Sequence, residues 1–182
     1  ITWLGTWHGL SYTSLSNPIK FNAISYPENS SILLQNQISA VCQSPDGTIA
    51  IGSDGGGIVF WDGVSNQKSG SFSIDSPNSK MGSASILAMA YDKDGNLWTG
   101  GYNNPLHRLS ADHKSSEAFS LVNNIKGAIS DFITDILIDR YDRMWVLTNG
   151  YGLLKFNPKT TITFDPAASL RFEGDTGPYI LY

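Results

Sequence analysis

Short apolar segments recur through this chain at a nearly constant interval. Thr2-Trp3-Leu4-Gly5, Ile49-Ala50-Ile51-Gly52, Leu97-Trp98-Thr99-Gly100 and Met144-Trp145-Val146-Leu147 align on positions 3, 50, 98 and 145. The intervals are 47, 48 and 47 residues. A fixed period of this length marks a repeat architecture, in which each supersecondary unit buries its faces only against its neighbours.

The surroundings of the four segments repeat as well. Turns precede the last three: Pro45-Asp46-Gly47, Lys93-Asp94-Gly95-Asn96 and Arg140-Tyr141-Asp142-Arg143. Gly and Asn tolerate the positive φ of a tight hairpin, and an Asp side chain can bond back to the turn. Before each turn runs an apolar strand, beginning at Ile38, Ile86 and Ile133. After each repeated segment come a short loop and a third strand, at Gly9-Leu10, Gly57-Ile58, Pro105-Leu106 and Gly152-Leu153. A more polar fourth strand is expected near Ile19–Ile24, Gly70–Ile74, Glu117–Leu121 and Thr161–Phe164. Each unit therefore reads as strands A, B, C and D.

Such a sheet buries neither face alone, but radial stacking covers both and leaves short edges. The spacing predicts an all-β fold of β-propeller blades, each of four antiparallel strands, in about four repeats of roughly 47 residues. Strands A and B are expected to be apolar on both sides, as the run Ile136-Leu137-Ile138 suggests. The glycine two places after the repeat anchor (Gly5, Gly52, Gly100) would allow close approach of the next blade, and Leu147 breaks that pattern. Residues 1–182 read as a single propeller segment with a last strand A near 179–182, because Ile180 stands 47 residues past Ile133. The segment is read as a piece of a larger ring, in preference to a four-bladed ring closed by 179–182 pairing beside 1–4.

Composition narrows the function. Charged residues are 15% of the chain and the formal net charge is −4, with no basic stripe for nucleic acid and no polybasic run for an anionic membrane. No apolar run reaches the length that spans a bilayer. The single cysteine, Cys42, cannot form an internal disulfide and reads as a small packed residue. His8, His107 and His113 show no metal spacing, and His107 reads as a structural residue of a strand C. Asp92-Lys93-Asp94-Gly95-Asn96 superficially matches a calcium loop but lacks the spaced terminal Glu, and reads as a turn. No nucleophile–base motif appears, and Glu28, Glu117 and Glu173 fall away from the loops where a site is expected. The segment is expected to be neither an enzyme nor a holder of metal or cofactor.

In a propeller the B–C and D–A loops share one face, and loops on a rigid scaffold carry binding residues. The B–C loops are irregular and aromatic. They offer Trp7 and His8 in the first, Asp54 in the second, Tyr102, Asn103 and Asn104 in the third, and Asn149 and Tyr151 in the fourth. Aromatic faces with amide, carboxylate and imidazole edges suit sugar rings, and they suit protein partners as well. These eight residues are the candidate ligand site. Loop-forming chemistry and the capping of blade junctions compete as explanations.

Asp94-Gly95-Asn96-Leu97-Trp98-Thr99-Gly100, Trp3-Leu4-Gly5-Thr6-Trp7-His8-Gly9-Leu10 and Tyr141-Asp142-Arg143-Met144-Trp145 with Gly152-Leu153 resemble the two-component regulator propeller repeat. The copy around Asp46-Gly47 departs from it, with Ala50 in place of the Trp. The resemblance implies a ring of seven blades and a place in the periplasmic or extracellular sensor region of a bacterial two-component or hybrid regulator. It implies an oligosaccharide or similar soluble ligand, and a homodimer formed through the full-length sensor. A protein-interaction scaffold and a carbohydrate-active enzyme stand as alternatives.

Overall fold

The structure is a computed structural model that describes residues 2–6, 9–13, 22–24, 33–124 and 130–156. The strands expected near Thr161–Phe164 and 179–182, and the loop residues Trp7 and His8, lie outside them.

Four antiparallel sheets follow one another along the described chain. The first holds β1 (Thr2–Thr6), β2 (Gly9–Thr13) and β3 (Asn22–Ile24). The second holds β4 (Ile38–Gln43), β5 (Thr48–Ser53), β6 (Gly57–Asp62) and β7 (Gln67–Phe72). The third holds β8 (Ala88–Tyr91), β9 (Leu97–Gly101), β10 (Asn104–Leu109) and β11 (Ser116–Phe119). The fourth holds β12 (Ile133–Ile138), β13 (Met144–Thr148) and β14 (Gly152–Phe156). In every sheet the strand order follows the chain order: among the described residues the second and third sheets run A-B-C-D, the first B-C-D and the fourth A-B-C. The repeat anchors Trp3, Ala50, Trp98 and Trp145 fall in β1, β5, β9 and β13, the B strands.

The sheets stack face against face. Strand β4 touches β1 and β8, and β12 touches β8 and β9. Three hydrophobic layers fill the junctions. Leu10, Ile24, Ile49, Ile51, Val59 and Trp61 lie between the first and second blades. Ala50, Ile58, Phe60, Phe72, Ile86, Met89 and Leu97 lie between the second and third. Ala88, Trp98, Leu106, Ile133, Ile136, Met144 and Val146 lie between the third and fourth. Alternate residues of one strand thus serve opposite layers: Ile49 and Ile51 face back, while Ala50 faces forward. A strand buried on both faces reads as a continuous apolar run, which is why period-two alternation is missing from the sequence.

The glycine two places after each of the first three anchors sets the blade spacing. A methyl group on Gly100 would lie 2.6 to 2.8 Å from three carbons of Ile133, and one on Gly52 would lie 2.6 Å from Cγ2 of Ile86. At Gly5 the nearest atom, Cγ2 of Ile38, is 3.2 Å away. The first isoleucine of each strand A therefore seats on the glycine of the blade before. The register shifts just after Ile38 and Ile133, and such a bulge re-aims a side chain towards the neighbour.

Two expectations need correction. The A strands are covered unevenly: in β8 the adjacent Ala88 and Met89 are both buried, whereas β4 has no fully buried residue and Leu137 in β12 is 58% exposed. The A strands lie at one edge of their sheets, and the central strand β6 is buried along most of its length. The fourth strands also start and stop earlier than expected. Strand β7 begins at Gln67, and β11 ends at Phe119. Leu121 enters a one-turn helix, α1 (Leu121–Asn124), whose first amides are capped by Asp131. Asp131 also accepts from the Ser120 hydroxyl at 2.9 Å.

Candidate functional site

The B–C loops are tied to the segments that lead into the A strands. In the second blade Gly55 and Gly57 both donate to the carbonyl of Ala84, at 3.1 and 3.0 Å, and Asp54 bridges to Ser85. In the third, the Tyr102 carbonyl accepts from the Ser83 hydroxyl at 2.8 Å, and the Asn104 amide nitrogen donates to Asp131. In the fourth, Asn149 donates to the Phe132 carbonyl at 2.9 Å. These bonds fix the loop backbones to the scaffold that a binding face needs.

On that frame the candidate residues separate. Tyr102 is 56% exposed, with its ring edge-on to Phe132 at 5.2 Å between centroids. Asn103 is exposed at the loop tip with φ of 49°, a left-handed conformation that Asn tolerates better than most residues. Asn149 is exposed and Asp54 half-buried. Asn104 is fully buried, and its side chain is committed to the fold: Oδ1 accepts from Gly82 and Nδ2 donates to the Ser85 carbonyl. Tyr151 is half-buried and packs against the hydrophobic layer between the third and fourth blades. Tyr102, Asn103, Asn149 and Asp54 therefore offer side chains outward, whereas Asn104 and Tyr151 shape the loops. Trp7 and His8 fall outside the described residues.

The A–B turns crowd the opposite face, and their chemistry is more regular than the sequence spacing alone revealed. One Asp carboxylate organises each Trp-bearing turn. Asp92 accepts from the amides of Asp94 and Asn96 at 3.0 and 2.8 Å, and from the Trp98 indole at 2.9 Å. Asp139 accepts from the amides of Tyr141 and Arg143 at 2.8 and 3.0 Å, from Arg143 Nε at 2.7 Å and from the Trp145 indole at 3.0 Å. Burial opposes ionisation of Asp139, but the indole, backbone and guanidinium donors outweigh it and hold its carboxyl well below the usual carboxylate range. Asp92 is thus engaged as a turn organiser, in keeping with the turn reading of the calcium-like segment. In the second blade Ser44 replaces the Asp and Ala50 replaces the Trp, so donor and acceptor are lost together. There the Ser44 hydroxyl donates to Asp46 instead. The turn position held by Gly47 and Gly95, with φ of 96° and 82°, is occupied in the fourth blade by Asp142 at 59°.

Three successive turns border a groove of about 340 Å³ lined by Gln43, Tyr91, Asp92, Lys93, Ile138 and Arg140 among others. Lys93 of the third blade meets Asp142 of the fourth at 3.1 Å across it. His107, read as structural, is fully buried and its Nε2 lies 2.7 Å from the Lys80 carbonyl. Burial lowers its pKa, so the ring is neutral at pH 7. Cys42 is half-buried among apolar side chains, and burial pushes its thiol up to about 12. No group of three His, Cys, Asp or Glu among the described residues is placed to hold a metal ion, and none of the described helices is long and apolar enough to cross a membrane.

Known proteins share this architecture. The extracellular domain of a hybrid two-component system from B. thetaiotaomicron superposes with a TM-score of 0.70 at 21% identity, over 92% of this chain and 22% of that one. A second hybrid two-component system of the same organism gives 0.68 at 21% identity, over 92% of this chain and 24% of its own. PorZ, a surface component of the type-IX secretion system of Porphyromonas gingivalis, gives 0.56 at 18% identity, over 85% of this chain and 24% of that one. An arginine–tRNA ligase of Amoebophilus asiaticus is 39% identical over 56 residues, which are 31% of this chain and 9% of that protein. The chain thus spans less than a quarter of the length of each of these proteins. The family described as two component regulator propeller matches residues 80–103 and 127–150. Each match takes in a strand A, the Asp-organised turn and the Trp-bearing strand B and reaches the B–C loop, so the third and fourth blades each carry a segment that matches this family's repeat.

Proposed function

We propose that this chain is a ligand-sensing propeller segment from the periplasmic or extracellular region of a bacterial two-component sensor, and that it binds a glycan on its B–C loop face. The observation that carries this reading is the group of outward side chains Tyr102, Asn103 and Asn149 on adjacent B–C loops of family repeats. A tyrosine ring offers a flat apolar surface to the C–H face of a sugar, and the amides beside it can meet hydroxyls as donor and acceptor. The likeness to extracellular domains of two-component systems supports the location. The segment binds rather than catalyses: Asp54 is the one carboxylate in the four B–C loops, while glycoside hydrolysis needs a pair. Ligand binding then passes to the rest of the sensor through rearrangement of a homodimer.

A glycan array followed by calorimetry on the full-length sensor region tests the assignment. A hit is expected to weaken about tenfold or more in Tyr102→Ala, the loss expected for an aromatic anchor. Unchanged affinity in Tyr102→Ala would move the site elsewhere. A clean negative on folded protein would favour the protein-interaction scaffold.

A further inference from the structure

One titratable group outside the ligand face joins two blades. His113 sits in the turn between β10 and β11, on the side of the A–B turns. Its ring lies flat on Phe60 of the second blade, with centroids 3.7 Å apart and planes 3° from parallel. Its Nε2 is 3.0 Å from the hydroxyl of Tyr91 in β8. The backbone is held at φ of 57°, a conformation in which a non-glycine residue is uncommon. Phe60 and Tyr91 belong to the hydrophobic layer between the second and third blades, so the imidazole caps the end of that layer. Tyr91 also lines the groove beneath the A–B turns.

We propose that His113 is a pH-sensitive latch, which closes the junction between the second and third blades when neutral and loosens it when protonated. In the neutral ring Nε2 accepts the Tyr91 hydroxyl hydrogen, and the proton rests on Nδ1. Protonation puts a hydrogen on Nε2, so the Tyr91 hydroxyl can no longer donate there and must turn its hydrogen elsewhere. It also places a charge in a half-buried stack. The groups that face the ring are Asp46 from the turn of the second blade, Asp112 in its own turn and Tyr91. Burial lowers the pKa of His113, and the two carboxylates oppose that shift without cancelling it. The folded state therefore resists protonation more than the unfolded chain does. Stability from this group is present above the unfolded value near 6.5 and is lost as pH falls through the folded value. The device is independent of which ligand occupies the opposite face.

The test is a proton-NMR titration of the ring resonances of His113 in the folded protein, joined to amide hydrogen exchange in β6 and β8. His113 is expected to titrate below 6.5. Exchange at those strands, corrected for the intrinsic rate, should accelerate from pH 7.5 to pH 5 by up to about tenfold for each unit of lowering. His113→Phe keeps an aromatic ring on Phe60 and should remove this acceleration while leaving exchange at pH 7.5 within a few-fold. Tyr91→Phe should shift the His113 titration without abolishing folding. A His113 titration at or above 6.5, or the same acid-induced opening in His113→Phe as in the parent, would overturn the proposal. Because the titration is read in the unmodified chain, the proposal can fail even if the variants do not fold.

Discussion

A carboxylate and an indole six residues apart do much of the work of a Trp-bearing blade. Each Asp closes its turn through two backbone amides and reaches the Trp of the following strand. Trp98→Phe keeps most of the apolar surface but leaves Asp92 without its indole donor. Its cost should be about 1–3 kcal/mol, because Asp92 and the indole are both buried. Trp145→Phe should cost less, because Trp145 is half-exposed and Asp139 retains Arg143. The denaturant midpoint at unchanged slope measures both. Asp139 also sets an acid dependence. Its folded pKa is depressed, so its stabilisation is complete above the unfolded value of 3.8 and is lost as pH falls below it towards the folded value. Asp139→Asn should flatten the stability profile in that acidic window, as followed by thermal unfolding at a series of pH values.

Between elements, the blade spacing depends on glycines meeting isoleucines. Gly100→Ala would drive a methyl into Ile133, which is itself fully buried and cannot retreat into solvent. Overpacking of this kind costs about 1–3 kcal/mol. Gly52→Ala should be comparable and Gly5→Ala milder, following the closest contacts of 2.6, 2.6 and 3.2 Å at Gly100, Gly52 and Gly5. Combining Gly100→Ala with Ile133→Ala should cost less than the sum of the two changes in a double-mutant cycle, because each relieves the strain or void the other creates. The second blade shows another solution at the same junction. With Ala50 in place of a Trp, Met81, Met89 and Phe60 fill the layer between the second and third blades.

At the scale of the molecule, each blade packs against its sequence neighbours, as in other repeat proteins. Perturbations should therefore stay local. Gly100→Ala is expected to speed hydrogen exchange in β8–β14 far more than in β1–β3, and uniform acceleration across all sheets would show that the blades unfold as one unit instead. The two faces of the array also differ in kind. The A–B turns are organised by carboxylates whose bonds are internal, with Tyr141 and Lys93 exposed at their tips. The B–C loops bond through their backbones and so release Tyr102, Asn103 and Asn149 outward.

The repeat interval, the tight turns and the glycine anchors were legible in the residues because each is a local demand. A period of 47 residues counts strands, and a turn with positive φ needs Gly, Asn or Asp wherever it stands. The sequence by itself therefore determined an all-β array of four-stranded antiparallel blades, with the B strands where the anchors lie. What only the tertiary structure decided concerns groups distant in the chain. The A strands proved unevenly covered, with β4 half-exposed while Ala88 and Met89 of β8 are buried, because the neighbouring blade decides which of their residues it covers. Tyr102 and Asn104 stand two places apart at the junction of a B–C loop with β10. Their fates diverged because Ser85 and Gly82 of the preceding segment satisfy the amide of Asn104. His113 looked like an ordinary turn residue until Phe60 and Tyr91 were brought against it. A sequence pattern fixes which residues can turn or pack, while burial and partnership depend on which surface the neighbouring blade presents, and that is settled only when the sheets stack.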